Sequence, residues 1–225
     1  MKLRIKIDVA ILIFIAVITG AVYFYAPGFY SCSPALNNIL DFFGVIMILK
    51  GNLLRMWARG HKKAFSDNSG RLVVTGPYML TRNPMYGGTF LVGAGFVLVA
   101  WPWWILPVFT FVFYIRFKRQ IVYEEKVLAK AFGQEYKSYC ERTPRLFPSV
   151  RQLLIIDWKK TFNWTEALST KEARGLIIWP IVALTLNCIQ EKLIFGYVDL
   201  KTAMVVFISA CLVFVVGCFV FLRRK

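Results

Sequence analysis

Six stretches of this 225-residue chain are too apolar for a water-soluble fold of its size to hide together. They lie near residues 8–26, 35–54, 86–100, 103–115, 175–190 and 201–222. With 58% hydrophobic residues overall, the surplus must face a solvent other than water, and a bilayer is that solvent. The expectation is an all-α integral membrane protein acting as one unit. Lys2, Arg4 and Lys6 ahead of an apolar run also outline a secretory signal. However, Val9 to Ala26 has the length of a span and no small-x-small pattern closes it, so it is expected to stay in the mature protein.

The two middle runs flank Trp101-Pro102-Trp103-Trp104. Each is about 15 residues, roughly 22 Å of helix, which is short of a hydrocarbon core. They read as a tight helical hairpin whose tip is anchored at the far interface by tryptophans, with Pro102 and Pro107 suited to a helix start. With the N-terminus inside, all but two of the 28 Lys and Arg residues, Lys192 and Lys201, fall in cytoplasmic segments. The connection from Pro27 to Ala35 carries no charge. The positive-inside rule therefore predicts about six membrane segments with both termini cytoplasmic.

That distribution also explains a net charge of +16 without nucleic acid, because the basic residues flank membrane helices and attract anionic headgroups. The five cysteines (Cys32, Cys140, Cys188, Cys211 and Cys218) form no C-x-x-C pair. With one histidine, His61, they offer no zinc, haem or iron–sulfur pattern, so no metal is expected.

Chemistry with a water-soluble cofactor belongs in the cytoplasmic segments, and two clusters stand out there. In the first, Gly76-Pro77 and Asn83-Pro84 break the chain twice just before a membrane helix. Two such turns expose backbone groups, Arg82, Tyr78 and Tyr86 at the membrane surface, where irregular backbone survives only beside a protected or watery cavity. A plain connector with tyrosine anchors would use the same residues. In the second, Val127, Leu128, Ala131 and Phe132 make an amphipathic helix that ends at Phe132-Gly133, with Tyr136 and Tyr139 on the following turns. Glu124 and Glu125 are adjacent, so they point about 100° apart and cannot share one proton. One is expected to face a bound cation while the other caps or orients; simple pairing with Lys118, Arg119 or Lys126 is the plainer reading.

Taken in order, Leu-Arg-x-Trp-Ala (54–58), Gly-Pro-Tyr (76–78), Arg-Asn-Pro-Met-Tyr-x-Gly (82–88), Glu-Glu (124–125), Phe-Gly-x-Glu-Tyr-x-x-Tyr (132–139) and Pro-Arg-x-x-Pro (144–148) resemble the isoprenylcysteine carboxyl methyltransferase family and its bacterial members. The phospholipid N-methyltransferases are similar around Glu-Glu. The resemblance covers roughly residues 53–148. It implies a cytoplasmic pocket for S-adenosyl-L-methionine contacted by Gly70, Arg71, Leu72, Val73, Tyr78, Asn83, Pro84, Met85, Tyr86 and Glu124. A ligand with a sulfonium, an ammonium and a carboxylate wants an acid, turn backbone and aromatic faces together. Glu124 then meets its positive end, and Tyr78 and Tyr86 the adenosine.

Arg82 and Glu125 are the expected catalytic residues, Glu125 as base where the acceptor is an amine, with Tyr136 a weaker candidate. Gln120 stands where the prenylcysteine enzymes have an arginine thought to meet the substrate carboxylate, which leaves the acceptor open between carboxylate and amine. The resemblance thus implies methyl transfer to a lipid or prenylated acceptor entering from the bilayer. Membrane sterol or steroid reductases using NADPH, and a non-catalytic scaffold of the same fold, are the competing readings. The chain divides into two N-terminal spans (1–52), a methyltransferase core (53–148), and a basic connector with two added spans (149–225). Cysteine-accessibility labelling tests the topology: a probe near Lys225 should be labelled only after cells are opened, and labelling of intact cells contradicts it.

Overall fold

The computed structural model describes residues 21–22, 25, 33–66, 71–148 and 161–223. The first apolar run lies almost wholly outside the described residues, as do Gly70 and Lys225. Among the described residues there is no strand. The order is α1 (Pro34–Ser66), α2 (Pro77–Leu80), α3 (Pro84–Ala100), α4 (Ile105–Arg142), α5 (Trp164–Leu168), a 3-10 turn (Lys171–Arg174), α6 (Gly175–Phe195) and α7 (Leu200–Arg223).

The hairpin stands where the sequence puts it, with α3 and α4 joined at Trp101–Trp104. Its second arm does not stop with its apolar run near residue 115. It runs 38 residues, with a break at Gly133 (φ 50°, ψ −119°), a backbone shape open to a residue without Cβ. Likewise α1 does not end with its apolar run near residue 54; its 33 residues make a rod of about 50 Å that carries Trp57, Ala58 and His61 beyond it.

α1 and α3 are antiparallel and nearly touch backbone to backbone. A Cβ added at Gly51 would lie 2.6 Å from the Gly88 carbonyl, and one at Gly95 would lie 2.5 Å from that of Gly44. The pairs 44–95 and 51–88 recur every seven residues, so one face of each helix is notched twice. Around this contact Val45, Ile48 and Leu49 of α1, Val99 of α3, Ala183 of α6 and Phe207 and Ala210 of α7 form the buried core.

Lys171–Phe195 and Leu200–Val220 are long and apolar enough to cross a membrane, and α3 is a shorter apolar helix. Their outward residues include Ile177, Ile181, Val205, Leu212 and Val216, all exposed. A continuous apolar surface of this kind needs hydrocarbon around it.

The glycine notches set the distance between α1 and α3, whose ends frame the double turn of the candidate site. Gly95→Leu should lower stability by about 1–3 kcal/mol through overpacking, read as the thermal unfolding midpoint in detergent. Gly217→Leu, where a Cβ meets nothing within 4 Å, should leave it unchanged. A Gly95→Leu protein as stable as the parent contradicts the contact.

Candidate functional site

The site begins at the turn before α3. Gly76 has φ 61°, and a Cβ there would strike the His61 ring at 2.8 Å. Burial pushes the His61 imidazole below its ordinary range, and its Nε2 sits 2.9 Å from Thr75 Oγ1. Pro77 then opens α2 and Pro84 opens α3, each at a first-turn position where a missing N–H costs nothing.

Both turns are tied to their surroundings. Tyr78 donates to the Ala58 carbonyl at 3.4 Å, and Tyr139 donates to the Tyr78 carbonyl at 2.7 Å. The backbone N–H of Arg82 donates to Pro144 O at 2.9 Å, and Thr81 Oγ1 donates to Arg145 O at 3.0 Å. The turn of residues 81–83 is therefore clamped against the strap of residues 143–145 that follows α4.

Glu124 and Glu125 diverge into different surroundings. Glu125 is buried at the centre of a charged network. Arg145 grips it with Nε at 3.2 Å and Nη2 at 2.7 Å, Arg82 Nη1 lies 3.3 Å away, and Asn83 Nδ2 donates at 3.3 Å. Asn83 also donates to the Arg145 carbonyl at 3.1 Å, and Arg82 Nη1 donates to Cys140 Sγ at 3.1 Å. Glu124 is only partly buried, and its Oε1 accepts from Tyr86 OH and from Gln120 Nε2, both at 2.7 Å. Among the described residues no lysine or arginine pairs with it, so the plain pairing with Lys118, Arg119 or Lys126 is not what the structure holds. The Tyr86 ring packs against Phe117 at 5.4 Å.

Asn83 thus bonds Glu125 and Tyr86 bonds Glu124, and the Tyr86 backbone N–H donates to the Asn83 carbonyl at 3.1 Å; Tyr78 is bonded to Ala58 and Tyr139 instead, and Pro84 and Met85 stand on the first turn of α3. Gly70 lies outside the described residues. Arg71, Leu72 and Val73 run as irregular chain toward Thr75, and no hydrogen bond among the described residues joins them to Glu124. Glu125, read from sequence as a base, is held between two guanidinium groups that engage both of its oxygens.

Sequence reasoning passed over Arg145 as a site residue. Its only signal is its place in Pro144-Arg145-x-x-Pro148, and nothing local shows that the chain beyond Gly133 folds back to Glu125. It also read Gln120 as a lost arginine, whereas the amide lies one helical turn before Glu124 and binds it.

Residues 39–135 match the phospholipid methyltransferase family. The chain is 30% identical over 116 residues to protein-S-isoprenylcysteine O-methyltransferase B of Arabidopsis thaliana, covering 48% of this chain and 59% of that protein. It is 25% identical over 119 residues to the probable protein-S-isoprenylcysteine O-methyltransferases of Oryza sativa subsp. indica and subsp. japonica, covering 49% of this chain and 62% of each. The chain therefore spans about three-fifths of the length of the curated relatives it matches. No solved structure matches. The matched stretch holds the α1–α3 glycine contact, the double turn and both glutamates, so the part of the chain that carries the glutamate pair is the part similar to the phospholipid methyltransferase family and to the isoprenylcysteine methyltransferases.

Proposed function

We propose that this chain is a membrane methyltransferase that uses S-adenosylmethionine on a lipid or lipid-linked acceptor. One observation carries the reading. Within the family-matched stretch, Glu124 presents a partly exposed carboxylate that, among the described residues, receives neutral donors and no cation, next to the paired rings of Tyr86 and Phe117. A carboxylate without a resident cation, set beside aromatic faces, suits a positively charged ligand. Bound S-adenosylmethionine supplies a methyl group on a sulfonium, ready for in-line displacement.

The protein's own contribution is then alignment. Glu124 holds the positive end of the cofactor, and Tyr86 orients Glu124 through its hydroxyl. Tyr78 and the chain around residues 71–73 serve the adenosine side. Glu125 is a positioning residue. By binding Arg82, Asn83 and Arg145 together it fixes the turn of residues 81–86 against the strap after α4.

Tyr136 is a poor base, since burial pushes its hydroxyl well above the ordinary range and keeps it protonated. An acceptor that needs no resident base, such as a carboxylate, therefore asks least of these groups. Alongside, Phe113, Phe117, Ile121 and Leu146 line an apolar crevice with Arg145 at its rim. An apolar chain ending in an anionic head fits that combination and would enter sideways from the bilayer, while the cofactor comes from the cytoplasm.

Calorimetry with S-adenosylhomocysteine tests the assignment. Glu124→Gln keeps shape but removes the charge. Losing a charge-assisted bond of about 1.5–3 kcal/mol should weaken binding roughly ten- to a hundredfold. Glu125→Gln should leave that affinity near the parent's and lower the thermal midpoint instead. Binding of NADPH with none of S-adenosylhomocysteine contradicts the proposal, and a Glu124→Gln protein of parental affinity removes Glu124 from it.

A further inference from the structure

A second polar cluster lies toward the other end of α1, away from the glutamate pair. Asn37 and Asp41 are one turn apart on α1, and Asn187, Gln190 and Glu191 sit on α6; all five are more than nine-tenths buried. Asp41 Oδ2 accepts from Asn37 Nδ2 at 3.0 Å and from Asn187 Nδ2 at 2.8 Å. Gln190 Nε2 donates to Asn37 Oδ1 at 3.3 Å. These bonds fix the amide orientations, because turning any of the three would set its carbonyl against another oxygen.

The cluster is left with acceptors and no donors for them. Asp41 Oδ1, Asn187 Oδ1 and Gln190 Oε1 are buried without a hydrogen-bond partner. Among the described residues no lysine, arginine or histidine pairs with Asp41 or Glu191. Glu191 is turned toward the next connection, where its Oε2 accepts the backbone N–H of Asp199 at 3.2 Å. Burying a carboxylate with no counter-charge is strongly unfavourable, and unpaired amide oxygens around it add to the cost. Three lone acceptors on residues already bonded into one cluster call for positive charge. Interhelical amide bonds alone would clasp α1 to α6, but they would not gather surplus oxygens.

We propose that Asp41, Asn187 and Gln190 bind a small monovalent cation, sodium, through oxygen alone. Hard cations take carboxylate and carbonyl oxygens, and Asp41 is the carboxylate of the cluster with a fully buried oxygen left without a partner, Glu191 being turned toward Asp199. Asn37 lies one turn from the start of α1, and Gln190 lies less than two turns from the end of α6, so the cluster sits near the ends of both helices rather than at their middle. The bound ion would lock α1, the scaffold of the glutamate site, to α6.

The test is the thermal midpoint of the full chain in detergent, in sodium chloride against N-methylglucamine chloride at matched ionic strength and pH. A ligand that binds only the folded state raises the midpoint with concentration. A rise specific to sodium is expected in the parent and absent in Asp41→Asn. Gln190→Met, which keeps size but loses one oxygen, should need about tenfold more sodium. The readout does not involve methyl transfer, so its failure leaves the Glu124 assignment untouched. No sodium-specific rise in the parent overturns the site, as does a rise unchanged in both variants. A midpoint that follows pH but ignores sodium means that a proton neutralises Asp41, and likewise overturns it.

Discussion

The close contact of α1 with α3 is the constraint from which the rest of the molecule is built. Two glycine pairs, 44–95 and 51–88, let the backbones approach to a distance that a single methyl group on either side would forbid. The lower pair places the first turn of α3 directly against the point where α1 leaves its apolar run. A Cβ at Gly88 would strike Arg55 Cγ at 2.6 Å. From there α1 continues as a rod, and its buried face supplies the carbonyl of Ala58 to Tyr78 and the ring of His61 beneath Gly76. The double turn is irregular in backbone but not loose in position, because a rigid helix runs beside it.

The second level of order is electrostatic. Adjacent glutamates on one helix are forced apart by helix geometry, and the structure gives each a different environment. Glu125 meets two guanidinium groups and an amide, which neutralise it and stitch three chain segments together. Glu124 meets a phenol and an amide, which orient it without cancelling its charge. The first arrangement makes a scaffold, and the second leaves a carboxylate available to a cationic ligand. That contrast, within a stretch that matches the phospholipid methyltransferase family, underlies the proposed cofactor role.

Much of this is legible in the sequence where local chemistry decides the outcome. The hairpin follows from apolar runs either side of Trp101–Trp104, the double turn from Gly76-Pro77 and Asn83-Pro84, and the helix break from Gly133. The divergence of the glutamates follows from 3.6 residues per turn. Long-range partners are another matter. Arg145 reaches Glu125 only because the chain reverses beyond α4, and no periodicity announces that. Asn37, Asp41, Asn187, Gln190 and Glu191 are submerged in runs read as simple spans, since an average over many apolar neighbours hides a few polar ones. Only their meeting across α1 and α6 gives them meaning.

The central claim is that methyl transfer takes place at the Glu124 site, and an isotope experiment tests it most directly. The purified chain in lipid vesicles is incubated with methyl-labelled S-adenosylmethionine and a membrane lipid extract containing prenylated cysteine analogues, and the organic phase is analysed for label. The account predicts a labelled lipid or prenylated product from the parent protein and a strongly reduced yield from Glu124→Gln at low cofactor concentration. Absence of label from every acceptor fraction, with NADPH consumed by the same preparation, would contradict it.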